Sequence, residues 1–261
     1  MIDLTAGDER FRDDHGKADR AVAAALGAYA AGTGGEHAVL TALADSRLLV
    51  PVVAVLADEL ASPEAAAGAG DAGQASAGRA RLKEAVPQAG LPLQGEKASE
   101  MAMPSIIGGD GRRALPAFTS ADAVRRWQPS ARPVPVPASG VWQSAVQESW
   151  AVVIDIAGPV PLVVEGARLA ALAAGSQAPR MHEDPDVWHE VAAAAAQIAP
   201  GIRVRLSPPP EDMDFTLELA PPADAARPVP DGVASQIATA ATARLGGRVR
   251  AGIAVLVQPP C

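Results

Sequence analysis

Residues 182–189, His182-Glu183-Asp184-Pro185-Asp186-Val187-Trp188-His189, gather two of the four histidines of the chain beside three carboxylates. Asp186 and His189 stand three apart, a spacing that puts both on one side of a helix, as some metal ligands are. The spacing matches no zinc signature, and acidic residues are favoured at a helix amino terminus on electrostatic grounds alone. No metal and no cofactor is therefore expected. Cys261 is the sole thiol and the last residue. A nucleophilic cysteine needs a lowered pKa and a fixed partner base, and a thiol after Gln258-Pro259-Pro260 has no evident source of either. Asp155 interrupts an otherwise apolar segment, Ala151 to Ile156, and is a candidate buried carboxylate. A carboxylate so placed is either functional or sits at a strand end, and the nearby Gly158-Pro159 turn favours the strand end. Arg112, Arg113, Arg125, Arg126 and Arg132 form a local basic cluster on an acidic chain. The planar guanidinium suits carboxylate or phosphate, so these five define a candidate surface for an anionic partner, against the alternative of solvated side chains paired with the chain's own acid. Gly108-Gly109-Asp110-Gly111 lacks the lysine and spacing of a phosphate-binding loop and reads as a hairpin turn. No GxSxG or HExxH pattern occurs, and no catalytic residue is assigned.

The elements that would position these residues centre on residues 97–133. Met101, Met103, Ile106 and Ile107 precede the glycine turn, and Arg112 to Phe118 make the return strand. Thr119, with Asp122 three residues on, has the form of a capping box opening a short helix. Val124 and Trp127 give that helix an apolar side, with Phe118 and Trp127 expected in the core, and Pro129 stops it.

The run Gly111 to Ser120 (GRRALPAFTS), followed by Ala123 to Trp127 and Arg132-Pro133-Val134, resembles the SseB N-terminal domain, a family named for enhanced serine sensitivity. Leu48 to Leu56 upstream and Trp150 to Gly158 downstream fit the same family, and the resemblance covers roughly residues 20 to 175. The phenylalanine-threonine-serine core is its most specific part. The last third is similar to the companion SseB C-terminal domain in its pattern of elements. The resemblance implies a small α/β domain and brings no catalytic residue set with it.

Elsewhere the pattern is simpler. Residues 1–18 alternate charge with little to bury and read as a mobile tail. Val22, Leu26 and Tyr29 line one face of a first helix, and Glu36 to Ala44 form a second. Leu48 to Leu56 is apolar without alternation, as for a strand covered on both faces. Residues 62–90 are rich in alanine, glycine and serine and are expected to be a disordered insertion, with a short helix near 79–86. Alternating proline and valine at 133–137 mark an edge strand or an extended connector. Ser139 is placed to cap a helix over 140–149. Residues 175–184 are polar and unpatterned and read as a linker. From Asp184-Pro185, a sound helix start, Trp188, Val191, Ala195 and Ile198 repeat at core spacing. A helix, strand, strand, helix, strand module then runs to the end of the chain.

The fold class expected is α/β (α+β), in two small domains, each a mixed sheet covered by helices. Their bounds are 19–175 and 186–261, joined by 176–185 and folding separately. Half of the residues are hydrophobic (49%), but only 3% are aromatic, so the cores should be aliphatic, with Trp127, Trp142, Trp150 and Trp188 as anchors. A net charge of −8 disfavours nucleic acid as a partner. No apolar run is long enough for a membrane span and the start of the chain has no signal-peptide pattern, which points to the cytoplasm. Arginine far outnumbers lysine (Lys17, Lys83 and Lys97 only), as in proteins from GC-rich bacterial genomes. The leading expectation is a non-enzymatic protein-interaction or regulatory module with a protein partner. The alternative is a small-molecule sensor or enzyme using a cleft between the domains.

Overall fold

The computed structural model describes residue 11 and residues 13–56, 83–88, 99–109, 111–210, 213–222 and 228–259. By its contacts the chain divides into two compact units, residues 1–23 with 45–165, and residues 24–44 with 166–261. Both contain a mixed sheet and helices, so the fold is α+β.

In the first unit, β1 (Arg47–Leu56), β2 (Lys83–Gln88), β3 (Ser99–Ile107), β4 (Arg113–Ala117), β5 (Arg132–Pro137), β6 (Ala151–Ile154) and β7 (Leu162–Val164) make one sheet. The order is β5-β1-β3-β4-β6-β7, with β2 paired to β3 off that path. Among the described strands of this unit only β4 and β6 run parallel, joined through the helices α3 (Ala121–Trp127) and α4 (Ala138–Gln147) and strand β5. Leu49 exchanges both backbone hydrogen bonds with Phe118 at 2.8 and 2.9 Å. Leu49, Phe118, Ala123, Val124 and Ala131 form a core with Trp127 at its margin, beneath α3. Successive side chains alternate faces, and Leu48, Val50 and Val52 are buried too. That is why this strand reads as continuously apolar. The helix α4 packs against β1, β4 and β6 and buries Val141 and Trp142.

The β5 edge shows how its sequence was chosen. Because the odd-numbered Leu49 bonds towards β4, the even-numbered residues of β1 bond towards β5, where Leu48 faces Val136 and Val50 faces Val134. Pro133, Pro135 and Pro137 therefore turn their backbone nitrogens to the free edge, where no N–H is required.

The second unit holds α2 (Glu36–Ala44), α5 (Gly166–Ala173), α6 (Pro185–Ile198), β8 (Arg203–Ser207), β9 (Phe215–Ala220), α7 (Val233–Leu245) and β10 (Ile253–Val257). The boundary between the units falls within α1 (Arg20–Ala31). The sheet order is β10-β9-β8, antiparallel between β8 and β9 and parallel between β9 and β10. Phe215, Leu217 and Leu219 of β9 pack with Val187, Val191, Ala194 and Ala195 of α6 and with Ile237, Ala241 and Leu245 of α7. Asp184 caps α6, accepting from the Asp186 amide at 2.9 Å, with Pro185 at the first turn. Gly166 opens α5 with φ +60°, and a Cβ there would strike the Asp186 carboxylate, which accepts from the Ala167 amide at 2.8 Å.

Several expectations change. Residues 83–88 form strand β2, not a helix or a disordered stretch, while 62–82 and 89–90 lie outside the described residues. Within the expected tail, Gly16 accepts from the Ala121 amide at 2.8 Å and Asp14 pairs with Arg47. In the expected linker Ala178 and Met181 are buried, and 166–184 belongs to the second unit. The cap of α3 is Ser120, which accepts from the Ala123 amide, rather than Thr119. Pro137, not Ser139, precedes α4, with no side-chain cap. On α6 Val191 and Ala195 are buried and Ile198 packs against them as expected, but the first inward residue is Val187, and Trp188 is 49% exposed. Trp142 is fully buried, whereas Trp127 and Trp150 are half-buried.

Candidate functional site

The phenylalanine-threonine-serine segment lies where β4 ends and α3 begins, and each of its residues has a structural task. Phe118 is fully buried and stacks at a tilt on Trp127, with ring centroids 5.4 Å apart. Ser120 caps the helix. Thr119 is buried, and Asp155 takes both of its donors: the amide at 2.9 Å and the hydroxyl at 2.6 Å. Asp155 is half-buried and follows β6 in the left-handed region at φ +48°, which aspartate tolerates better than most residues. Its own amide donates to the Ala117 carbonyl at 3.0 Å, and its carbonyl accepts from Gly158 at 2.6 Å. Arg47 completes the corner, donating to the Thr119 carbonyl at 2.9 Å and to the Lys17 carbonyl at 2.5 Å while pairing with Asp14. Asp155 thus ties the end of one parallel strand to the turn that leaves its neighbour. A carboxylate beside a threonine hydroxyl has the form of a base and a nucleophile, but the same carboxylate also binds the threonine amide. Both contacts hold the corner in place.

The five arginines are spread over β4 and the turn before it, α3 and β5. All are exposed. Arg112 and Arg113 sit at the start of β4, and Arg125 and Arg126 on the helix after its far end. The strand between these two ends is five residues long, Arg113 included, roughly 17 Å of chain. The Gly108–Gly111 segment is the expected hairpin turn, closed by Gly108 donating to Arg112 at 2.8 Å and by Gly111 in the left-handed region; Asp110 is outside the described residues. Arg112 pairs with Glu165 at 2.5 Å. The Arg113 guanidinium lies 5.9 Å over the Trp150 ring. Arg125 pairs with Asp122 inside its own helix. Arg132 opens β5.

The histidine and carboxylate run at 182–189 is taken up by helix capping. Asp184 caps α6, Asp186 caps α5, and His189 is exposed. Among the described residues no three histidine, cysteine or acidic side chains converge as metal ligands. Cys261 lies outside the described residues.

The second unit holds a buried charge cluster that the residue patterns did not bring forward. Arg168 of α5 pairs with Glu36 of α2, and its Nε lies 3.7 Å from Asp184. Arg248, in the single 3-10 turn after α7, donates to Glu36 at 3.1 and 3.2 Å and to Asp184 at 2.6 Å. Glu36, Arg168 and Asp184 are 3% exposed or less. Two guanidinium groups balance two carboxylates, which is the condition for burying any of them. Burial works against the Arg248 charge, but Glu36 and Asp184 outweigh it and hold its pKa above the ordinary value. Beside them, burial and the Glu36 charge push the Tyr29 hydroxyl up to about 12. Tyr29 donates to the Gly247 carbonyl at 2.9 Å, and Arg250 lies 5.2 Å over its ring. One signal was present in the sequence: Arg168 shares a helix face with Leu172, four residues on, so an arginine occupies an inward position.

The same segment leads into β10. The Asp214 carboxylate accepts from the amides of Arg250, Ala251 and Gly252 at 2.8, 2.8 and 3.0 Å, which fixes the entry to that strand. Among the described residues no helix is long and apolar enough to cross a membrane.

Neither the curated proteins nor the solved structures yield a match to this chain. A family model described as the SseB protein N-terminal domain matches residues 22–171. That span contains the Phe118-Thr119-Ser120 corner with its Asp155 clamp and covers more than half of the 261 residues. The chain belongs to the SseB family.

Proposed function

We propose that this SseB-family chain is a non-enzymatic protein-interaction module, regulatory in its use, and that its contact element is the open edge of the second unit. The observation that carries this reading is strand β10. Val255, Leu256 and Val257 are 40%, 53% and 44% exposed, three consecutive apolar side chains on a strand at the end of its sheet. Met213, whose sulfur lies beside Gly252, extends the apolar surface and is 41% exposed. An exposed apolar edge strand is a template for pairing with another chain. The polar groups that could have served chemistry have structural partners instead: Asp155 holds Thr119, and Glu36 and Asp184 hold two arginines. The exposed arginines support an anionic partner less well, since they are split between the two ends of β4 and three of them already have partners. We read the α6–β10 module, with its helix-strand-strand-helix-strand order, as the companion SseB C-terminal domain.

The test compares tagged wild type with Leu256→Lys, and with a variant in which Arg112, Arg113, Arg125 and Arg126 are alanine. The proteins that copurify from the native cell are identified for each, alongside thermal melts. Loss of copurifying proteins with Leu256→Lys at an unchanged melting temperature is the expected result. An unchanged set with Leu256→Lys would overturn the assignment to β10, and loss in the arginine variant alone would move the contact to α3 and the start of β4.

A further inference from the structure

The open edge of β10 has a self-complementary register. Gln258, just past the strand, donates to the Leu219 carbonyl of β9 at 2.8 Å, and the Gly252 carbonyl, just before it, accepts from Asp214. Backbone groups alternate sides along a strand, so Ala254 and Leu256 bond towards β9. The N–H and C=O groups of Ile253, Val255 and Val257 therefore point away from the sheet, and they have no partner among the described residues.

Other edges carry blocking features. The outward positions of β5 are Pro133, Pro135 and Pro137. Strand β7 is three residues long. Strand β8 carries the exposed arginines Arg203 and Arg205. These are the usual means by which edges avoid pairing. Strand β10, Ile253-Ala254-Val255-Leu256-Val257, has no charge, no proline and no glycine.

We propose that β10 pairs antiparallel with β10 of a second copy of this chain, about a two-fold axis through Val255. This rests on the reading of the edge as the contact element and names its occupant. In that register Ile253 faces the second copy's Val257, Ala254 faces its Leu256, and Val255 faces its Val255. The facing pairs at 253, 255 and 257 are all outward positions, so they are hydrogen-bonded pairs, and about six ladder bonds satisfy every outward donor and acceptor. Each cross-strand pair is apolar, the small Ala254 lies opposite the large Leu256, and no charge meets its like. The register with β9 puts Val255 and Val257 beside Leu217 and Leu219, on the face that carries α6 and α7. Their exposed surface is therefore the continuation of the second unit's own core, and a second copy extends that core across the seam. An isologous contact of this kind closes on itself and does not grow into a fibre.

The test is sedimentation equilibrium of the full chain over a concentration series, for wild type, Val255→Lys, Val255→Glu and an equal mixture of the two variants. Wild type is expected to be a reversible dimer. Each single variant places like charges opposite one another on the axis and should weaken self-association by at least about tenfold. The mixture should regain a dimer containing one of each, a result that damage to the fold cannot produce. Val255→Pro, which removes an outward donor and none that β9 uses, should also weaken self-association while the chain still unfolds cooperatively. A wild type that is monomeric at every concentration, or a dimer that persists in Val255→Lys, overturns the pairing. The first of these outcomes leaves the copurification test of β10 to decide the interaction-module reading, so the two failures are distinguishable.

Discussion

The arginines at the ends of β4 and the Arg168 cluster, like the β5 and β10 edges, are treated in opposite ways. The first unit leaves the arginines at both ends of β4 in water and closes its β5 edge with proline at every outward position. The second sets the buried Arg168 and the part-buried Arg248 against two buried carboxylates and leaves β10 with free outward amides and exposed valine and leucine. A solvated arginine pair contributes little to stability, whereas a buried one is costly to break because its partner is left charged and dry. An edge without donors offers a second strand nothing to bond, while one with three in a row does. Residue type alone separates neither pair of cases; desolvation and the direction of the backbone do.

The largest effect expected in this contrast comes from the buried cluster. Arg168→Met should destabilise the chain by about 3–5 kcal/mol, measured by urea unfolding, because Glu36 and Asp184 would share Arg248 alone. Adding Glu36→Gln to Arg168→Met should recover part of that loss by restoring charge balance. A loss for Arg168→Met no larger than that of a surface arginine would break the comparison.

Alkali should act through the same region. Tyr29 is the only tyrosine, so the phenolate absorbance reports one group. Its folded pKa of about 12 lies above the ordinary value of 10, so the folded chain holds the proton more tightly than the unfolded chain. The contribution is intact below pH 10 and is lost as pH rises from 10 through 12, to a limit of roughly 3 kcal/mol. Ionisation near 10 in the folded chain would mean that Tyr29 is not enclosed beside Glu36.

The Asp155 corner gives the next effect. Asp155→Ala leaves the Thr119 amide and hydroxyl without their acceptor and puts alanine at φ +48°, a loss of about 1–3 kcal/mol. Asp155→Asn keeps an acceptor and a residue that tolerates the left-handed region, and should cost less. Equal losses would show that charge, not the hydrogen bonds, holds the corner.

The smallest effect belongs to the surface arginines. Changing Arg125 and Arg126 to alanine should shift the unfolding free energy by no more than about 0.5 kcal/mol each. A larger loss would show that α3 depends on the Arg125 pair with Asp122.

Much of this protein was legible in its residues. Local signals suffice where an element is decided by neighbours in the chain. The glycine hairpin, the proline edge, the proline after the Asp184 cap and the order of elements from α6 to β10 all depend on backbone chemistry within a few residues. The Phe118-Thr119-Ser120 signature was also legible as a signature, but its meaning was not. The partner of Thr119 is Asp155, 36 residues away. The cap moved by one residue because that partner had claimed the threonine. In α6 a shift of one residue separates Val187 from Trp188, and only packing against β9 selects between them.

The sequence by itself determined the family, the α+β class and most element boundaries, because these follow from periodicity, turn chemistry and a local signature. It did not determine which residues belong together. Glu36 precedes the whole first sheet in the chain and yet pairs with Arg168 and Arg248, 132 and 212 residues later, so residues 24–44 fall in the second unit. A boundary drawn near residue 175 passes through that cluster. Pairing of buried charge is a property of distance in space, and no local pattern encodes it. The same holds for β10: its residues announced a strand, but whether its amides met a neighbour or faced outward was decided only when β9 took one side of it.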